Sequence, residues 1–269
     1  MIRAGRIDPA ASPELVRSHG VVERWDGRCG SGNLNAWASM DRAMSLARAH
    51  GTGVVALANT THWMRGGTYG WQAANAGFVG ICWTNTLPNL PPWGSTEPKL
   101  GNNPLVIAAP RPSGAVVLDM AISQFSYGAL AAYRSRREVL PVDGGFDSAG
   151  NLTRDPAAIE ASGRPLPIGY WKGSGLAMTL DLIATMLSGG LATHQIPADP
   201  EREIGLSQFF LAIDAAALDS ENRAAEIADA IVASAGARYP GQRTLEIRAE
   251  NLKLGVPVDD ALWEEIRNI

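Results

Sequence analysis

The segment Thr61-His62-Trp63-Met64-Arg65-Gly66-Gly67-Thr68-Tyr69-Gly70-Trp71 gathers an imidazole, a guanidinium, three glycines and three aromatic rings. An imidazole can hydrogen-bond a carbonyl oxygen, and a nearby guanidinium can clamp a carboxylate through two parallel bonds. His62 and Arg65 are therefore candidates to orient an acid that carries a reactive carbonyl. A hydrogen bond from His62 to backbone is the competing structural reading. Two further polar stretches follow, Thr84-Asn85 and Pro91-Pro92-Trp93-Gly94, and loops of this kind commonly line a site on a rigid scaffold.

Anion binding is suggested further along. Lys172 precedes Gly173-Ser174-Gly175, where a strong helix is expected to begin. Free backbone amides and the helix dipole favour a phosphate there, although the same glycines could simply let a helix start close to a strand. The usual dinucleotide fingerprint is missing. Gly30-Ser31-Gly32 and Gly173-Ser174-Gly175 both open a G-x-G-x-x-G pattern, but Asn35 and Met178 stand at the sixth position. Any dinucleotide must be held by something other than a standard Rossmann unit. The other histidines carry less: His50 reads as a helix C-terminal residue complementing the dipole, His194 as solvated, and His19 as a residue before strand-like Val21-Val22. No His/Asp/Glu cluster has metal-ligand spacing, and no G-x-S-x-G elbow occurs, so no metal site is expected.

The 269 residues suffice to bury a substantial core, and they read as a single catalytic region over 1–269. A net charge of −4 gives nucleic acid or an anionic membrane no bulk attraction. Only Cys29 and Cys82 are available as thiols, too few for a disulfide framework, and Cys82 lies within an apolar run where it should be buried. No signal peptide or apolar stretch of about 20 residues is visible. These features predict a soluble cytoplasmic protein.

Periodicity supplies the elements that must position the candidates. Ala36, Met40, Ala43, Met44 and Ala47 recur at helical spacing and predict a helix over Ser31–His50, stopped by Gly51. Val54–Leu57, Phe78–Thr84, Leu105–Ala109, Val116–Met120 and Gln208–Ile213 read as strands. Further helices are expected over Tyr69–Ala76, Lys172–Ser188, Asn222–Ala235 and Val258–Arg267. Within Lys172–Ser188, Leu176, Thr179, Leu180, Ile183 and Leu187 should be buried. Leu140–Leu166 reads as a long surface excursion with turns at Asp143-Gly144-Gly145 and Ala149-Gly150-Asn151. Alternating strands and helices favour an α/β architecture.

Several motifs occur in a recognisable order: Asn59-Thr60-Thr61-His62-Trp63-Met64-Arg65-Gly66-Gly67, Thr84-Asn85-Thr86, Pro92-Trp93-Gly94, Gly101-Asn102-Asn103-Pro104-Leu105, Val117-Leu118-Asp119-Met120-Ala121, Trp171-Lys172-Gly173-Ser174-Gly175-Leu176 and Tyr239-Pro240-Gly241-Gln242-Arg243. Together they resemble the type-2 malate/L-lactate dehydrogenase family of NAD(P)-dependent oxidoreductases. The resemblance runs from about Arg6 to Ile269. It implies a large mixed sheet with flanking helices, a non-Rossmann dinucleotide site, reduction of a 2-keto acid (here a diketo sugar acid), and a homodimer. It further implies that Ala115, Val116, Val117, Leu118, Asp119, Met120 and Ala121, with Trp171, Lys172, Gly241, Gln242 and Arg243, contact the cofactor. His62, Arg65, Thr84, Asn85 and Trp93 would meet substrate, and Asp147 aligns loosely with an acidic catalytic residue. NAD is the expected cofactor and NADP the alternative, with Arg111 and Arg243 both available to a 2′-phosphate. Thr61 and Arg243 stand where many relatives have Asn and Glu.

Relatives also begin with a helical segment that ends in Ser-His-Gly, whose histidine is taken as the proton donor. Ser18-His19-Gly20 repeats the letters at a position that does not match. The sequence is accordingly expected to be N-terminally shortened relative to that family. A catalytically impaired form that binds the dinucleotide or sugar acid is the alternative to an active reductase.

Overall fold

Phe78–Thr84 and Gln208–Ile213 are apolar without strict alternation, which implies strands covered on both faces. The computed structural model, which describes residues 1–219 and 223–268, places both at the middle of a seven-stranded sheet. In chain order the elements are β1 (Glu14–His19), β2 (Val22–Asp26), α1 (Gly32–His50), β3 (Thr52–Thr61), α2 (Gly67–Asn75), β4 (Phe78–Thr84), β5 (Leu105–Ala109) and β6 (Val116–Met120). There follow α3 (Tyr127–Ser135), β7 (Gly145–Phe146), β8 (Leu152–Thr153), α4 (Pro156–Ser162), α5 (Trp171–Ser188), β9 (Ile204–Asp214), α6 (Arg223–Val232), α7 (Gln242–Leu254) and α8 (Asp260–Arg267). The sheet order is β1-β2-β3-β9-β4-β5-β6, with β2 and β3 parallel and every other pair antiparallel. The large mixed sheet with flanking helices is therefore as expected.

Alternation along the central strands builds two cores. On β9, Phe210 enters the layer under α1 and α2, while its neighbour Phe209 enters the layer under α5. Cys82 and Trp83 of β4 divide the same way, and Trp83 stacks on Phe209 at 4.1 Å between ring centroids. The expected face of α1 is buried throughout, with Ala36, Met40, Ala43 and Ala47 at 0% exposure. Gly51 closes that helix in the left-handed conformation at φ 84°.

The structure corrects the expectations in several places. β3 runs ten residues rather than four, and its polar end residues Thr60 and Thr61 are buried under α1. Thr179 of α5 is exposed, because it lies on the face turned away from the sheet. Leu140–Leu166 is not a surface excursion: Leu140 and Ile159 are fully buried with Leu130 of α3, and the short β7–β8 ribbon and α4 enclose them. Asp155 accepts from Ala157 N–H and Pro156 takes the first helical position, which together start α4. β1, α3 and α7 are additional to the expected elements, and α6 and α8 are shorter than expected, with Asn222 outside the described residues.

One ion pair ties α1 to the sheet. The Glu23 side chain is 3% exposed and receives two bonds from Arg42 of α1, at 2.9 and 2.6 Å, plus one from the Trp25 indole at 2.9 Å. The Arg42 bonds hold its carboxyl below the usual value of 4.5. A carboxylate with a depressed pKa stabilises the fold above its unfolded pKa and ceases to do so as pH falls through the folded one. Glu23→Gln should therefore cost about 2 kcal/mol near neutrality. The gap to the parent should close as pH falls below 4.5. Denaturant titrations at both pH values check this, and a gap that persists in acid would remove the ionised carboxylate as its cause.

Candidate functional site

The His62 loop is fixed from beneath by alternation. Trp63 points inward at 1% exposure, packing 5.4 Å from the Tyr69 ring and 6.2 Å from Phe210. Its carbonyl accepts from the Tyr69 hydroxyl at 2.6 Å. The neighbouring side chains are thereby turned outward: Met64 and Arg65 are exposed and His62 is half-buried. Met64 occupies the left-handed region at φ 64°, which turns its own N–H onto His62 Nδ1 at 3.1 Å. With Nδ1 accepting, the neutral imidazole carries its proton on Nε2, free to donate. Thr61 completes the support by accepting from Gly32 N–H and donating to the Gly30 carbonyl. At Gly32 an added Cβ would lie 2.2 Å from the Thr61 carbonyl oxygen, so the close approach of α1 to this loop requires glycine.

Two cavities meet at this loop. The larger, about 1070 Å³, is lined by His62, Arg65, Asn89, Asn102, Tyr127 and Glu160 among others. Glu160 is paired with Arg134 at 2.8 Å, and Glu203 accepts from Leu87 N–H. Burial pushes the Tyr127 phenol up to about 12, so it stays neutral, and its hydroxyl donates to the Asn89 carbonyl. Arg65 makes no ion pair or side-chain hydrogen bond among the described residues, leaving its guanidinium available to an anion.

The second cavity, about 700 Å³, is a cleft between the edge strand β6 and α7. Its floor holds Val117, Leu118 and Asp119, and its far wall holds Gly241, Thr244, Ile247, Arg248 and Asn251. Arg65 and Asp119 line both cavities and mark their junction. Asp119 accepts from Gly67 N–H at 2.9 Å, at the first turn of α2. A Cβ at Gly67 would sit 2.7 Å from that carboxylate oxygen, so the backbone can approach only without one. Gly241, at φ 92°, brings the start of α7 against Val117, whose N–H donates to the Pro240 carbonyl at 2.9 Å. A strand edge, two glycine-bared backbones, a helix N-terminus and a free guanidinium suit an elongated diphosphate such as a nicotinamide dinucleotide.

The other expected site residues divide between the two cavities, their flanks and the scaffold. Val117, Leu118, Asp119 and Gly241 line the cleft, and Ala121 lines the larger cavity. Ala115, Val116, Met120, Gln242 and Arg243 flank these positions without lining either cavity. Thr84 and Asn85 are at 0% exposure. The Asn85 amide donates to Asp181 and the Leu191 carbonyl and accepts from Ser207 N–H, so its capacity is used within the scaffold. Asp147 sits in the β7–β8 turn and does not reach the His62 cavity. Hydrogen bonds from Asn151, led by its backbone N–H, hold its carboxyl below the usual range. Trp93 packs on Tyr170 at 4.7 Å between ring centroids, and its N–H donates to Ser174. Trp171 and Lys172, in the first turn of α5, are exposed and line neither cavity.

His19 ends β1 at the hairpin that pairs it with Val22. Val22 lies beside Val54 in parallel register, near the start of β3, whereas His62 follows the end of that strand. The two imidazoles are thus separated by about 20–25 Å of strand.

Comparison with known proteins identifies the family. A model of the malate/L-lactate dehydrogenase family matches residues 1–267. The 2,3-diketo-L-gulonate reductase of Citrobacter koseri is 46% identical over 273 residues, covering 98% of this chain and 82% of its own. Sulfolactate dehydrogenase from Methanocaldococcus jannaschii superposes with a TM-score of 0.87 at 27% identity, over 99% of this chain and 80% of that one. Delta1-piperideine-2-carboxylate reductase from Pseudomonas syringae pvar. tomato gives 0.89 at 25% identity, over 99% and 82%. The chain belongs to the malate/L-lactate dehydrogenase family of oxidoreductases.

Proposed function

We propose that the protein reduces the carbonyl of a 2-keto acid with NAD(P)H, and that a diketo sugar acid of the 2,3-diketo-L-gulonate type is the substrate. The observation that carries this reading is the junction itself. His62 and Arg65 lie on the wall of a polar cavity of about 1070 Å³, and Arg65 also lines a dinucleotide-sized cleft. A six-carbon acid fits the larger space, and the substrate named for the Citrobacter koseri relative is of that kind.

The cofactor, when bound, supplies a hydride to the carbonyl carbon. His62 Nε2–H donates to the carbonyl oxygen, where negative charge develops, and the resulting alkoxide takes its proton from water in the open cavity to give the hydroxy acid. Arg65 takes the substrate carboxylate, which orients the carbonyl between the two cavities. Tyr127, neutral at any working pH, and Asn102 are placed to bond the sugar hydroxyls. Of the cavity's acidic groups, Glu160 is paired with Arg134, while Glu203 and Asp119 accept backbone N–H bonds from Leu87 and Gly67.

The functional unit on this reading is a homodimer. Trp171, Met178, Leu182 and Met186 form an exposed apolar stripe along α5, and a second copy is the partner that would cover it. No described helix is long and apolar enough to cross a membrane.

Oxidation of NADH and NADPH by the purified protein tests the proposal directly. Turnover with 2,3-diketo-L-gulonate should exceed that with pyruvate or oxaloacetate by a wide margin. A preference for the small acids would overturn the substrate assignment, and no oxidation with any keto acid would overturn the reaction.

A further inference from the structure

A nicotinamide dinucleotide in the cleft beside β6 is the proposed reading on which this inference rests. A carboxylate favours the free ribose diol of NAD, whereas a guanidinium favours the 2′-phosphate of NADP. Which group faces the adenosine end therefore decides between the two cofactors. The junction with the larger cavity fixes the reacting end at His62, Arg65 and Asp119. Asp119 is the single carboxylate among the described lining residues of the cleft, and it lies at that junction with Gly67 N–H bound to it. No other acidic residue is among the described residues that line the cleft.

The outer part of the cleft is built by α7. Ile247, Leu252 and Val256 provide an apolar surface of the kind that takes a purine ring. Arg248 stands among them, lining this cleft and not the larger cavity. It shares a helix face with Thr244 and Asn251, at spacings of four and three residues. Arg248 is exposed and makes no ion pair or side-chain hydrogen bond among the described residues.

Neither of the two arginines singled out by the sequence lines the cleft. The Arg111 side chain is 8% exposed, lies 4.6 Å over the Tyr239 ring, bonds Ser113 and faces Asp229 at 3.7 Å. Arg243 faces Glu246 at 3.4 Å and does not line the cleft. We propose that Arg248 reads the 2′-phosphate of the adenosine ribose and that the enzyme prefers NADPH to NADH. A guanidinium beside an apolar purine shelf, with no carboxylate to take the ribose diol, is the arrangement such a preference requires.

Binding without substrate gives the test, read from the fluorescence of the reduced nicotinamide. NADPH should bind at least about tenfold more tightly than NADH, as a bidentate charge-assisted contact implies. In Arg248→Ala this ratio should fall toward one, with the loss falling on NADPH. Arg248→Lys should recover part of it, since a point charge replaces the fork. Circular dichroism establishes that α7 remains folded in each variant. Equal losses for both dinucleotides would make Arg248 a pyrophosphate contact and overturn the preference, as would tighter binding of NADH by the parent. Binding of neither dinucleotide would overturn the cleft assignment itself, a failure separate from loss of the 2′-phosphate contact.

Discussion

His62→Ala should lower kcat for keto-acid reduction about 10²–10³-fold, the range found when one donor to a developing oxyanion is removed. The affinity for the reduced dinucleotide should stay within about twofold, because the imidazole lines the substrate cavity and not the cofactor cleft. The size of the effect follows from the tautomer. Met64 N–H occupies Nδ1, so the single ring proton sits on Nε2, directed to whatever fills the cavity. Alanine removes that donor and leaves space for water, which is free to reorient and stabilises the alkoxide less well. His62→Gln keeps an amide donor at similar reach and should retain part of the rate. Single-turnover and steady-state rates with saturating dinucleotide would show the effect. An unaltered kcat in the alanine variant would return His62 to the structural role that its bond with the backbone also allows.

Much of this arrangement could be read from residue order. The strands Phe78–Thr84, Leu105–Ala109 and Val116–Met120 occur with the expected ends, because each is an apolar run bounded by glycine, proline or polar turn residues. The buried stripe of α1 was legible for the same reason, its period being undisturbed over nineteen residues. The loop of His62 and Arg65 stood out by composition alone. What stayed hidden depended on tertiary partners. α7 has no fully buried residue and a polar sequence, so it shows no core-facing stripe, yet it supplies the outer wall of the cofactor cleft. Leu130, Leu140 and Ile159 lie in separate short segments and form a core only after α3, α4 and the β7–β8 ribbon converge. At Asn85 the sequence shows a polar side chain after a strand, while its three bonds to Asp181, Leu191 and Ser207 become visible only in the fold. Tyr127 and Arg248 gave no signal in the sequence, since neither belongs to a segment with unusual composition.

The link between core and chemistry runs through Trp63. Trp63→Ala should lower the unfolding free energy by about 3–5 kcal/mol, the usual loss for a large buried aromatic. Two ring contacts vanish, to Tyr69 and Phe210, and neither neighbour can move far into the gap. Tyr69 is tied by its hydroxyl to the Trp63 carbonyl, while Phe210 is fixed in the central strand β9. Against a total stability of roughly 5–15 kcal/mol for a folded protein, this change alone would bring the transition close to working temperature. A second consequence separates packing from position. At low temperature, where the variant remains folded, kcat should still fall, because Trp63 is the inward residue that turns His62 and Arg65 outward. Trp63→Phe retains a ring in the same layer and should regain most of the stability and most of the rate together. Denaturant midpoints and cold steady-state rates for the three proteins measure the two effects side by side. A rate that survives intact in folded Trp63→Ala would mean the Thr61 bonds to Gly32 and Gly30 suffice to hold the loop, and the aromatic anchor would then serve stability alone.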